Sequence, residues 1–77
     1  MDLKGLVEYI AQALVENPAQ VQVDVVESPS SITLELHVAQ DDMGRVIGKS
    51  GRIANAIRTL VRVAAMREGK RVNLEIV

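Results

Sequence analysis

Between Gly48 and Gly51 lie only Lys49 and Ser50, and arginines stand nearby at Arg45 and Arg52. Two glycines three residues apart let the backbone turn tightly and let a ligand approach without a Cβ in the way. Lys49 brings a point charge to the loop tip, and Ser50 a small hydroxyl that can cap a helix or touch a phosphate. A helix starting directly after Gly51 would aim its unpaired N–H groups and positive dipole end into the same space. Each feature favours the same ligand chemistry, that of a phosphodiester.

Other chemistry finds less support. Gly44-Arg45-Val46-Ile47-Gly48-Lys49-Ser50 approaches a nucleotide-binding P-loop but has three residues between its glycines rather than four. The count matters because successive N–H groups of that loop must wrap a phosphate. The true motif also follows a buried strand directly, whereas Asp41-Asp42-Met43 precedes this one. His37, the one histidine, falls in an alternating segment with Thr33 and Glu35, a surface strand position rather than a metal ligand or general base. Asp41-Asp42 reads as the cap of a short helix rather than an acid–base pair. No catalytic triad can be assembled, so the expectation is a binding protein without enzymatic activity, cofactor or metal.

The elements that must position the loop follow from periodicity. Leu3, Leu6, Val7, Ile10 and Leu14 mark an amphipathic helix over residues 3–16, which Asn17-Pro18 ends. Val21, Val23 and Val25 alternate with polar residues in a strand over 20–27. After the turn Ser28-Pro29-Ser30, Ile32, Leu34, Leu36 and Val38 give a second strand that can close an antiparallel hairpin. A short helix from Asp41-Asp42 through Ile47 precedes the glycine loop. A long helix follows it, with Ile53, Ile57, Leu60, Val61 and Ala64 on one face and Gly69 as its stop. Val72, Leu74 and Ile76 alternate in a last strand. The order is helix-strand-strand-helix-helix-strand, an α+β fold with a three-stranded mixed sheet and three helices packed on one face. Residues 1–77 read as one domain without linker or repeat.

Composition narrows the partners. The 77 residues include one Tyr and no Phe, Trp or Cys, so aromatic base stacking, disulfides and thiolate chemistry have almost nothing to draw on. The net charge of −1 hides a segregation: residues 44–71 hold eight basic residues against Glu68, and the rest holds Lys4 against nine acids. Such asymmetry hints at an anionic partner, although solvated helix faces produce the same count. No apolar run approaches the ~20 residues of a membrane span, and no secretory signal is seen, so a cytoplasmic protein is expected.

Val46-Ile47-Gly48-x-x-Gly51, between two helices and within this element order, resembles the KH family in its bacterial, type II arrangement. The apolar position that closes the family motif is shifted here, with Ile53 and Ala54 two and three residues after Gly51. The resemblance covers nearly the whole chain. It implies single-stranded RNA as the ligand, about four nucleotides held in a groove with the glycine loop clamping their backbone. It also implies that Arg45, Val46, Ile47, Gly48, Lys49, Ser50, Gly51, Arg52 and Ile53 form the RNA site. Val46, Ile47 and Ile53 would be its floor, and strand residues near Leu36 and Val38 its opposite wall. A KH domain standing alone in so short a chain is similar to the KhpA-type (YlqC-like) proteins. That likeness implies self-association, pairing with a larger Jag-type KH-containing protein, and a role as RNA chaperone or post-transcriptional regulator linked to cell elongation and division. Arg58 and Arg62 either extend the electropositive surface or are solubilising. Val63 and Met66 mark either a dimer contact or ordinary partial exposure.

Overall fold

The computed structural model describes residues 2–77. Helix α1 (Leu3–Leu14) starts where the Asp2 carboxylate accepts the Gly5 N–H at 3.0 Å. It stops two residues short of the sequence expectation. Pro18 bars the helical conformation from Asn17, and the N–H groups of Glu16 and Asn17 are taken by a side chain elsewhere, described below. A 3-10 turn (Pro18–Gln20) leads into β1 (Gln22–Glu27), and a tight turn bridged by Ser28 and Ser31 leads into β2 (Ser31–His37). A second 3-10 turn (Gln40–Asp42), α2 (Met43–Ile47), the glycine loop, α3 (Arg52–Met66) and β3 (Arg71–Ile76) complete the chain. Helix α3 closes with the paired backbone bonds Lys70 N–H to Ala65 C=O and Gly69 N–H to Met66 C=O, placing Gly69 at its stop.

The sheet order is β1-β2-β3, with β1 antiparallel and β3 parallel to the central β2. The expected α+β architecture is therefore present. Parallel pairing of β2 and β3 requires a long crossover. Helices α2 and α3 supply it, which puts the glycine loop within the crossover.

Along β2 every second residue, Ile32, Leu34 and Leu36, turns into the core, where it meets Val23 of β1 and Leu74 of β3. From the helical side come Leu3, Val7 and Ala11 of α1, Val46 of α2, and Ile57, Val61, Ala64 and Ala65 of α3. With Tyr9, the single aromatic residue, exposed outside the core, small residues carry the close packing: Ala11 and Ala65 have no exposed surface. Leu60 departs from expectation. It is 55% exposed, because the buried arc of α3 centres on Val61 and Leu60 lies ~100° around the helix from it.

The opposite face of the sheet carries the alternate residues, including Asp24 of β1, Thr33, Glu35 and His37 of β2, and Asn73 and Glu75 of β3. It is the polar face that the period-2 pattern requires.

Candidate nucleic-acid interface

Helix α2 ends at Gly48, whose N–H bonds the Gly44 carbonyl at 2.9 Å, and the chain then reverses through three residues of positive φ. Gly48 has φ 76° and ψ 173°, a region essentially reserved for glycine. Ser50 (φ 58°, ψ 25°) and Gly51 (φ 75°, ψ 14°) are left-handed. The Gly51 N–H returns to the Gly48 carbonyl at 3.1 Å, closing the turn. Helix α3 begins at Arg52, and no side chain caps its first amides. Ser50, a candidate for that cap, is exposed and makes no hydrogen bond to those amides among the described residues. Lys49 and Arg52 are exposed, and neither forms an ion pair among the described residues.

The nine sequence-chosen residues fall into distinct roles. Gly48, Lys49, Ser50, Gly51 and Arg52 form the loop and its positive flank. Ile47 is partly exposed and Ile53 half-buried, both beside the loop. Val46 is wholly buried in the core, so it supports the loop from beneath and offers no surface to a ligand. Arg45 is held by two carboxylates, Nη2 to Glu16 Oε1 at 2.6 Å and Nε to Asp42 Oδ1 at 3.1 Å.

Asp42 is the residue whose role the sequence did not disclose. Its carboxylate does not cap α2 but turns the other way, accepting the backbone N–H groups of Glu16 and Asn17, each at 3.1 Å. The Asn17 side-chain amide adds a longer contact at 3.4 Å. At 1% exposure it fastens the end of α1 to the start of α2. The Glu16 N–H, foremost among these donors, holds the carboxyl below the ordinary value although burial opposes it; Asn17 and Arg45 reinforce the shift.

Of the residues expected in the opposite wall, Leu36 has no exposed surface, β2 being the central strand, while Val38 just beyond its end is partly exposed. A groove lies between α3 and the free edge of β3, lined by Arg58, Val61, Arg62, Val72, Asn73 and Leu74. Arg58 spans it: Nε donates to the Leu74 carbonyl at 3.3 Å and Nη1 to Asn55 Oδ1 at 3.2 Å. Arg52, Asn55, Arg58 and Arg62 thus descend one flank of α3 from the loop, covering about 15 Å at the helical rise. The two arginines whose role periodicity leaves open accordingly line the groove.

A glycine loop joining two helices in the crossover of a three-stranded mixed sheet, in the order helix-strand-strand-helix-helix-strand, defines a type II KH domain. Comparison with solved structures gives the same fold. Era from Aquifex aeolicus, crystallised with GDP and AlF4−, superposes over 96% of this chain with a TM-score of 0.71 and 23% identity. The match spans 29% of the Era chain. The chain belongs to the KhpA/KhpB KH-domain family, whose model matches residues 4–76. Among curated relatives, the RNA-binding protein KhpA of Caldanaerobacter subterraneus subsp. tengcongensis is 58% identical over 94% of this chain and 96% of its own. That of Clostridium acetobutylicum is 56% identical over 97% of this chain and 100% of its own. No helix among the described residues is long and apolar enough to cross a membrane.

Proposed function

We propose that the chain binds single-stranded RNA without catalysing a reaction, clamping the sugar-phosphate backbone at Gly48–Gly51 and laying the following nucleotides along the groove between α3 and β3. The observation that carries this reading is the loop itself. Three positive-φ residues present backbone and a helix start without a side-chain cap, beside the cations Lys49 and Arg52, which pair with no carboxylate among the described residues. The RNA-binding relatives support it. Arg58 and Arg62 line the groove where an extended strand would pass. Base contacts would be aliphatic, since Tyr9, the single aromatic residue, sits on α1, and this favours modest affinity with low base specificity. Such a binder suits RNA chaperoning or post-transcriptional regulation in the cytoplasm. Titration of labelled single-stranded RNA with wild type and a charge-reversed loop variant tests the proposal.

A second reading concerns partners. Leu60, Val63 and Met66, spaced three apart on α3, are 55%, 50% and 68% exposed. An apolar stripe of this kind suits association with a second KH chain, either another copy or a larger Jag-type protein. Two weak RNA sites joined in this way would gain by effective concentration. Leu60 and Val63 do not line the groove, whereas Met66 adjoins Arg62, Val72 and Asn73 at its far end, so the two surfaces meet there. Sedimentation of the chain alone and with the larger protein tests the second.

A further inference from the structure

On the polar face of the sheet, away from the helical layer that holds the glycine loop, two carboxylates and the sole imidazole converge. Asp24 on β1 stands directly opposite Glu35 on β2, and His37 follows two residues later on the same face of β2. One ligand atom from each of the three lies within 4.8 Å of the others. We propose that Asp24, Glu35 and His37 bind a divalent transition-metal cation of the zinc class.

Two independent features point to a cation there. The first concerns the imidazole. The His37 side chain is 37% exposed, yet its Nε2 is occluded and has no hydrogen-bond partner among the described residues. It lies 3.1 Å from Asp24 Oδ2, yet too far off line for an N–H to be donated. In the tautomer that carries its proton on Nδ1, a ring nitrogen so placed offers its lone pair to a metal. Two ligands at the usual ~2.05 Å zinc bond lengths lie about 3.3 Å apart in a tetrahedral shell, close to the separation already present. Gln22 Nε2 donates to Asp24 Oδ1 at 3.0 Å and so leaves Oδ2 facing the ring, as an outer partner orients a ligating carboxylate.

The second feature is electrostatic. Like charges directly opposite one another across a ladder destabilise a sheet. Asp24 faces Glu35, and Glu35 in turn faces Glu75 on β3. Among the described residues no lysine or arginine pairs with Asp24 or Glu35. A bound dication would balance the Asp24 and Glu35 carboxylates and clip the β1–β2 hairpin, with its remaining coordination positions open to water. One nitrogen and two oxygens without thiolate suit borderline cations such as zinc over soft ones, and the imidazole disfavours magnesium and calcium.

The test is calorimetric titration of the demetallated full chain with zinc chloride at neutral pH, repeated with magnesium chloride, alongside amide NMR spectra. The expected result is one zinc per chain, with amide shifts centred on residues 22–24 and 35–37 and no comparable effect of magnesium. His37→Ala and Asp24→Asn should each weaken zinc binding by more than about tenfold, the lower end of the loss seen for residues merely supporting a ligand. Circular dichroism checks that both variants fold. The Lys49→Asp/Ser50→Asp variant should bind zinc as wild type does, which separates this site from the RNA proposal. Zinc binding unchanged in His37→Ala, shifts elsewhere, equal binding of magnesium, or no saturable binding would each overturn the assignment. The NMR map of the wild type decides the matter even if a variant fails to fold.

Discussion

A Cβ placed on Gly48 would lie 2.7 Å from Cγ1 of Ile53, in the first turn of α3 just beyond the loop. Ile53 is itself packed against the core, so it cannot easily retreat. Glycine at 48 is thus required twice, once by backbone conformation and once by the side chain it meets. Gly51 differs, since a Cβ there would meet nothing nearer than Asn55 Nδ2 at 3.9 Å.

Substitution at the two glycines should therefore be unequal. Gly48→Ala is expected to cost about 2 kcal/mol or more, combining the strained region with the clash. Gly51→Ala should cost about 1–2 kcal/mol, for the left-handed conformation alone. Urea unfolding of both variants measures the difference. Equal losses would contradict the role given to Ile53.

Acid should loosen the tie between α1 and α2. The Asp42 carboxyl is held below its ordinary value near 3.8 in the folded state. Its contribution is then fully present above that value and is lost as pH falls through the folded-state value. Asp42→Asn keeps the shape but not the charge. It is expected to lower Tm at neutral pH and to flatten the decline in stability below pH 4. Thermal melts between pH 2 and 7 check this, and parallel curves for the two proteins would refute it.

Charges placed on the exposed stripe of α3 should act on association rather than folding. Leu60→Glu/Val63→Glu is expected to change monomer stability by no more than about 0.5 kcal/mol per site, as for surface substitutions. The variant should sediment as a monomer at concentrations where wild type self-associates. Identical sedimentation of the two would remove the stripe as an interface.

Backbone clamping predicts a particular salt response. With two or three phosphates neutralised, log affinity should fall against log salt with a slope of about −1.4 to −2.1. Replacing Arg58 or Arg62 by Ala should make that slope shallower by roughly 0.7 for each phosphate no longer neutralised. Binding insensitive to salt would contradict the clamp.

Much of the fold is legible in the sequence, because periodicity reports each residue's own face. The alternation in β2, the stripe beginning at Leu3 and Val7, and the loop between Gly48 and Gly51 all depend on local pattern. What escapes depends on contacts between distant segments. Asp42 reads as a helix cap because capping is local, whereas its actual donors, Glu16 and Asn17, are some 25 residues away. Val46 reads as groove floor because the motif places it beside the loop, but the burial of a residue in a five-residue helix is set by its neighbours. Leu36 reads as groove wall although it is fully buried, because strand order is not a local property. Only pairing shows that β2 is central and β3 is the free edge. Likewise His37 looks like a lone surface residue until the hairpin register brings Asp24 to it.

The most direct test of the central claim is a low-salt titration of labelled single-stranded RNA with wild type and Lys49→Asp/Ser50→Asp, with circular dichroism on both. Aspartate tolerates the left-handed conformation at position 50, so the variant should remain folded. Binding by the wild type, lost in the folded variant, is the predicted result. Equal binding by both proteins, or binding by neither, would contradict the loop as the RNA clamp.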